Sequence, residues 1–510
     1  MTASSVGRKA GFDNEKYLAE QTQAILERAE RYGNKLYLEF GGKLMFDYHA
    51  ARVLPGYDPN VKIRLLQKLK ERAEILLCVH AGAIEKRKVR ADFGITYDND
   101  VLKIIDDLKD WGVSVSTVVI TRFSDQPAVL TFQKRLERRG VRVVMHRPTR
   151  GYPTDVGLIV SDEGYGANPF IETSKPVVVV TGPGPGSGKL ATCLSQLYHE
   201  HQRGGSAGYS KFETFPIWSL PLKHPVNIAY EAATAELKDF NEIDTFHLAA
   251  HGEQAVNYNR DMEVFPVVRS ILERILGGQS PYQSPTDMGV NRAGFGIVDD
   301  EVVREAAVQE CIRRYFRYRC EYMMGLVDDS TVQRVEAILG ELGVTPEDRP
   351  VVAPARRAAE EGREKGKGNE GVFVGAALRL ADGTILTGKN SPEMHAASAL
   401  VLNALKHLAG IPDEIHLLPP DIIKSVGRMK KEIMKKRLIN LNLDETLIAL
   451  GISATQNPMA QAAMAKLRML SGCEMHLTHL PTPGDEEGLR RLGVNLTSDP
   501  EFATKDLFVS

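Results

Sequence analysis

The chain is 510 residues long, enough for about three domains at roughly 150 residues each. Its 64 Lys and Arg against 66 Asp and Glu leave a formal charge of −2, so no overall field draws nucleic acid or an anionic membrane to it, and such contacts fall to local patches. Hydrophobic residues at 43% and charged residues at 25% are ordinary globular usage, and 44 glycines with 26 prolines are too few for a low-complexity chain.

Residues 1–14 lack the apolar stretch of a secretory leader, and no run approaches the ~18 apolar residues of a bilayer span. The five cysteines, Cys78, Cys193, Cys311, Cys320 and Cys473, are odd in number and form no CxxC, which argues against a disulfide framework or a zinc ribbon. The expectation is a cytoplasmic protein with no membrane partner.

The first 200 residues alternate between strand and helix signals. Strands are predicted at 36–40, 75–79, 113–120, 141–145 and 177–180, and helices at 61–73, 99–111, 127–139 and from Lys189 onward. That spacing implies right-handed crossovers and a mostly parallel, doubly wound α/β sheet. From 209 to about 344 the strand signals fade and helical spacing takes over at 225–237, 265–276 and 302–327, with a long loop at 277–296. The charged segment 355–370 reads as a helix fraying at its glycines. Beyond it a compact α/β unit is predicted: strand 372–380, an Asp382-Gly383 turn, strand 384–388, helix 395–409 and strand 414–418. The domains are therefore 1–208 (α/β, phosphate- or nucleotide-binding), 209–345 (mainly helical, packed on it) and 346–510 (C-terminal α/β).

One segment carries chemistry: Val177-Val-Val-Val-Thr-Gly-Pro-Gly-Pro-Gly-Ser-Gly-Lys189. A buried strand runs into Gly182, Gly184, Gly186 and Gly188, then Lys189, then a helix. Glycines let main-chain N–H groups turn toward a phosphate, the helix start adds unpaired donors, and a lysine supplies a point charge. The pattern is P-loop-like but departs from GxxxxGK[ST]: Pro183 stands where the first glycine belongs, and Leu190 replaces the magnesium-binding hydroxyl. Ser187 or Thr192 is a substitute hydroxyl. The cofactor expected is ATP or another phosphate ligand, with Mg2+ as its companion. Asp162, Glu163, Arg260 and Asp261 are the right residue types to hold a metal and neutralise transition-state charge, and they join Lys189 as candidate catalytic residues.

No resident metal site is expected. His247 and His251 are spaced i,i+4, but Leu248 replaces the glutamate of HExxH. Cys473, His476 and His479 have ligand-like spacing on a segment that reads as a strand, which splits them between two faces. The basic run Arg428 to Arg437 lies beside an apolar stripe of Ile422, Ile423, Val426, Met429 and Ile433, so an amphipathic helix with a wet basic face accounts for it without nucleic acid.

The strings Ile159-Val-Ser-Asp-Glu-Gly-Tyr-Gly166, 181–199 and Ser284-Pro-Thr-Asp-Met-Gly-Val-Asn291 resemble a family of large bacterial proteins known as a domain of unknown function, over essentially the whole chain. That resemblance implies a soluble, multi-domain homo-oligomer and brings no reaction with it. Separately, the segment Val374 to Asn390 and His395-Ala-Ala397 resemble the opening hairpin and zinc helix of the cytidine-deaminase fold. A working deaminase has a glutamate where Ala397 stands and cysteines near the position of 457–461, so the likeness implies a catalytically empty copy used for packing or assembly. The function expected is phosphoryl or nucleotidyl transfer, or ATP-dependent ligation, on a small molecule. The alternative is a non-catalytic oligomer that senses a nucleotide or phosphometabolite.

Overall fold

The computed structural model describes residues 9–90 and 95–504. These fall into two compact units, Lys9–Ala307 and 308–504. No helix among the described residues is long and apolar enough to cross a membrane, and all five cysteines are buried free thiols.

The first unit is built on six parallel strands, in the order Val143–Met145, Val115–Thr121, Ala73–His80, Val177–Thr181, Leu36–Phe40 and Gly208–Phe212. The run of valines at 177–180 is buried throughout, as a strand covered on both faces must be. Along Ala73–His80 alternate side chains feed two cores. Leu76 and Cys78 meet Cys193, Leu194 and Leu197 of helix Lys189–Gln202, while Leu77 and Val79 meet Val101 of helix Tyr97–Asp110 and Phe132 of helix Pro127–Glu137. Each such aliphatic side chain removed from water contributes about 1.5–3 kcal/mol. The fold is thus α/β and doubly wound, as the sequence predicts.

The sixth strand, Gly208–Phe212, lies where strand signals fade. Gly-Tyr-Ser-Lys-Phe is a poor strand former, and pairing along all of Leu36–Phe40 recruits it. Gly208 is required there, because a Cβ would come within 2.1 Å of the Tyr32 ring. The order of the strands also sets where a ligand can sit. Ala73–His80 passes the chain to its outer neighbour Val115–Thr121, whereas the adjacent Val177–Thr181 passes it the opposite way to Gly208–Phe212. Connections that diverge from neighbouring strands leave a crevice at their carboxyl ends.

In the second unit a four-stranded sheet runs Ile385–Lys389, Gly375–Arg379, Glu474–Leu477, Asn495–Ser498, antiparallel except for the last pair. The predicted Asp382-Gly383 turn joins the first two, with Gly383 at φ +92°. Helix Ala396–Ala409 packs on this sheet through Leu400, Val401 and Leu405. Arg349 is fully buried, with Nη1 2.6 Å from Glu474 Oε2, and Arg313 reaches the same oxygen at 3.0 Å.

Two expectations for this unit are corrected. Residues 414–418 are not a strand: Leu417 and Leu418 are buried, but Pro412 before them and Pro419 after them keep the segment irregular. The stripe along helix Pro420–Glu432 is also only half right. Ile422, Ile423 and Val426 lie on the core, whereas Met429 and Ile433 are exposed. Lys430 turns inward instead, donating to the Asn440 carbonyl at 2.5 Å and to Glu445 at 2.7 Å.

Candidate functional site

The glycine run leaves the carboxyl end of Val177–Thr181 and enters helix Lys189–Gln202, in the crevice that the strand order opens. Gly188 caps that helix in the left-handed conformation at φ +88°, and a Cβ there would lie 2.7 Å from Thr121 Oγ1 and Cγ2. Gly182 would meet the Cys78 carbonyl at 2.5 Å and Gly184 the Tyr97 hydroxyl at 2.7 Å. Gly186, at φ +72°, has open space around it. Thr121 Oγ1 donates to the Ser187 carbonyl at 2.8 Å and fixes the turn from below. Among the described residues no protein acceptor takes the N–H of Gly184, Gly186, Ser187, Gly188, Lys189, Leu190 or Ala191. Successive free amides in such a turn form an anion-binding concavity.

The hydroxyls of this segment have separate fates. Thr192 is buried and donates to the Gly188 carbonyl at 3.0 Å, so it braces the helix start from inside. Ser187 Oγ is buried with no hydrogen-bond partner. Lys189 is half-buried and, among the described residues, pairs with no carboxylate. His80, the last residue of the neighbouring strand Ala73–His80, is held below its ordinary pKa by burial and then by Arg122, Lys86 and Lys88. Burial pushes the Cys78 thiol, under the loop, up to about 12, which removes it as a nucleophile at neutral pH.

The other candidates are held elsewhere. Asp162 accepts the Tyr198 hydroxyl at 2.8 Å, nine residues along the helix from Lys189, about 13 Å. Glu163 pairs with Arg150 at the surface. Arg260 pairs with the buried Asp239 at 2.5 Å. No hydrogen bond or ion pair joins any of these three to the loop among the described residues.

Asp261 belongs to a second polar cluster at the same edge of the sheet. Lys211 Nζ lies 2.7 Å from Asp261 Oδ2 and 3.1 Å from Glu213 Oε1, and it also bonds the Tyr258 hydroxyl. Burial alone would lower the Lys211 ammonium; Asp261, Glu213 and Glu39 more than reverse this and hold it charged. The Glu213 carboxyl is pushed up to about 7 by burial, with Asp261 adding and Lys211 opposing. Gly41 makes room for it, since a Cβ there would fall 2.4 Å from Glu213 Oε1. Lys211, Glu213 and Asp261 line a small pocket with Trp218, Asn257, Thr286 and Asn291.

Glu39 connects the two places. It sits on Leu36–Phe40, the one strand between the glycine-loop strand and the Lys211 strand, which stand about 10 Å apart. Tyr209 donates to Glu39 at 2.9 Å. The Glu39 charge acts on Lys211 and Glu213, and also on Cys78 and Cys193, where Lys189 acts too. Sequence reading passes over Glu39, Lys211 and Glu213. The available signal is a lone charge inside an otherwise apolar strand, as in Leu-Tyr-Leu-Glu-Phe.

The family-like string at 284–291 folds against this region. Thr286, Gly289 and Asn291 line the Lys211 pocket. Asp287 instead faces His247 and His251, and the ligand atoms of these three lie within 4.8 Å of one another. Local spacing cannot reveal that grouping, because Asp287 is 36 residues beyond His251. Of the other ligand-like trio, His476 is buried against Thr497 and Asp499, and Cys473 against the Met469 carbonyl.

In the second unit a cavity of about 390 Å³ is lined by His395, Ala397, Asn440 and Asp485. His395 Nδ1 lies 2.6 Å from Asp485 Oδ2, and Thr482 donates to the same carboxylate at 2.8 Å. The side chain of Asn457 caps helix Pro458–Met464.

Comparison with known proteins brings two adjoining matches. A family model described as domain of unknown function DUF1846, N-terminal, matches residues 10–343, and its C-terminal counterpart matches 347–508. A UPF0371 protein of Clostridium botulinum (strain ATCC 19397 / Type A) is 57% identical over 500 residues, covering 98% of this chain and 99% of the relative. UPF0371 proteins of Clostridioides difficile (strain 630) and Clostridium tetani (strain Massachusetts / E88) are each 56% identical and cover 98% of this chain and 100% and 99% of their own lengths.

Proposed function

The chain belongs to the DUF1846 family, and from its own residues we propose that it binds a phosphate-bearing small molecule in the 182–189 loop. The observation that carries this reading is the row of free amides from Gly184 to Ala191 beside an unpaired Lys189, at the divergence point of a doubly wound sheet. The unsatisfied Ser187 hydroxyl supports it, as do the cations Arg122, Lys86 and Lys88 around His80 at the end of the adjacent strand. ATP or another nucleoside triphosphate with Mg2+ suits the loop, with Lys189 on the terminal phosphate. The Lys211–Glu213–Asp261 pocket, about two strands away, receives the acceptor of a phosphoryl or nucleotidyl transfer or of a ligation. Asp162, Glu163 and Arg260 would reach the loop only after a rearrangement that breaks their pairs with Tyr198, Arg150 and Asp239.

A non-catalytic sensor is the second reading. It is favoured by Leu190 in the metal-hydroxyl position and by Thr192 being turned inward. On either reading the C-terminal unit serves packing and homo-oligomer assembly, which the exposed Ile448 and Ile452 on helix Leu443–Ser453 support.

Calorimetric titration of ATP, inorganic phosphate and a sugar phosphate, with and without Mg2+, tests the proposal. Lys189→Ala should weaken the best ligand roughly 10- to 100-fold, the value of one charge-assisted hydrogen bond. Magnesium-dependent binding with turnover supports the enzyme, and metal-indifferent binding without turnover supports the sensor. No binding of any phosphate, or binding unchanged in Lys189→Ala, refutes both.

A further inference from the structure

Apart from the glycine loop, the first unit brings two imidazoles and a carboxylate together at the edge of the Lys211 pocket. His247 and His251 stand one turn apart on helix Thr245–His251, their rings 4.5 Å between centroids. Asp287 comes from the short helix Pro285–Met288. Its Oδ1 lies 3.0 Å from His251 Nε2 and 3.7 Å from His247 Nδ1. Tetrahedral zinc with bonds near 2.0–2.2 Å sets neighbouring ligand atoms about 3.3 Å apart, between the two observed values.

The cluster is also held in place. Asp244 is fully buried and clamps both ligand segments with one carboxylate. Its Oδ1 accepts the His247 N–H at 2.9 Å, while its Oδ2 accepts the Thr286 N–H at 3.1 Å and the Thr286 hydroxyl at 2.6 Å. The Gln283 N–H reaches Asp287 Oδ2 at 3.0 Å and orients that carboxylate. Arg28 donates to the Asp287 and Gly289 carbonyls and anchors the backbone. Among the described residues the competing partner on His247 Nδ1 is Ser284 Oγ at 3.0 Å; that oxygen is held as the cap of helix Pro285–Met288 by the Asp287 N–H at 3.0 Å, and its proton turns freely. His247 is largely buried, but His251 is 37% exposed, so the group opens to solvent on one side.

We infer that His247 Nδ1, His251 Nε2 and the Asp287 carboxylate bind one divalent first-row transition-metal ion, of the zinc class, with an open coordination position toward solvent. Two neutral imidazoles and a single carboxylate suit Zn2+, Co2+ or Mn2+ and disfavour Mg2+ and Ca2+, which prefer oxygen. Three protein ligands with a free position is the arrangement of reactive rather than purely structural zinc. The inference does not depend on what the glycine loop binds.

The test uses the full chain stripped with a chelator and then titrated with Zn2+ by calorimetry and with Co2+ by visible absorption, no nucleotide present. One equivalent should bind, with Co2+ giving the d–d bands of a four- or five-coordinate site. His251→Gln and Asp287→Asn should each weaken Zn2+ roughly 100-fold or more, since even indirect partners of a metal site are worth 10- to 100-fold. His416→Ala, at an exposed histidine in the other unit, should bind as wild type does. Zn2+ should also raise the melting temperature of the wild type and leave that of His251→Gln unmoved, which separates lost ligation from lost folding. Absence of stoichiometric binding to the wild type, or wild-type affinity retained in both ligand variants, overturns the site.

Discussion

Gly186 and Gly188 offer a matched pair of substitutions. Both have positive φ, +72° and +88°, so alanine at either costs about 1–2 kcal/mol for the left-handed backbone. Only at position 188 does the new Cβ collide, 2.7 Å from Thr121 Oγ1 and Cγ2 and 2.8 Å from its Cβ. Forcing a methyl into such contact adds about 1–3 kcal/mol. Gly188→Ala should therefore destabilise the first unit by about 2–5 kcal/mol and Gly186→Ala by about 1–2 kcal/mol. Urea unfolding followed by tryptophan fluorescence reads that unit alone, because Trp111 and Trp218, the chain's two tryptophans, both lie within it. Thr121→Ala removes two of the three colliding atoms, so the Gly188→Ala/Thr121→Ala double mutant should show a favourable coupling of about 1 kcal/mol. Equal losses at the two glycines, or zero coupling to Thr121, would mean that the turn is not wedged against its neighbouring strand.

Three further outcomes follow from buried charge. Asp261→Asn removes the nearer of the two carboxylates paired with Lys211 and should cost about 3–5 kcal/mol in the same urea assay. The Glu213 carboxyl is raised in the folded state to about 7 from an unfolded value near 4.5, so its contribution to stability is whole below about 4.5 and is lost as pH climbs through 7. Glu213→Gln should flatten the decline of stability between pH ~5 and ~8. Asp499 runs the other way: burial would raise it, but His476 and Arg356 outweigh burial and hold it near 2, so its contribution is present above about 3.8 and vanishes as pH falls toward 2. That contribution is about 2 kcal/mol, and acid unfolding of the second unit, followed by hydrogen exchange, should lose its dependence on this range in Asp499→Asn.

The parallel sheet and the glycine loop were legible because their signals are local. A valine run, helices of a dozen residues between strands and a glycine every second position each lie inside one short window. Gly208–Phe212 was not legible, since its pairing with Leu36–Phe40 and not its own composition makes it a strand. The Lys211 cluster escaped for a related reason. Its members, Glu39, Lys211, Glu213 and Asp261, are brought together by sheet order across more than 200 positions. Residue type alone makes Asp261 a candidate, and the fold pairs it with Lys211. The apolar stripe at 422–433 misled because helical periodicity cannot tell which way the last turn faces once Lys430 finds Asn440 and Glu445.

Thr286 and Asp287 are neighbours in the chain, yet one borders the Lys211 pocket and the other the two histidines, and a single aspartate pins the turn they share. A load on either flank pulls on the same few bonds. Thermodynamic reciprocity then applies: the factor by which an occupant on one flank sharpens or dulls affinity on the other must be identical measured from either end. Residues 284–291 thus border both places, and a titration at one, run with the other empty and then filled, reads that factor.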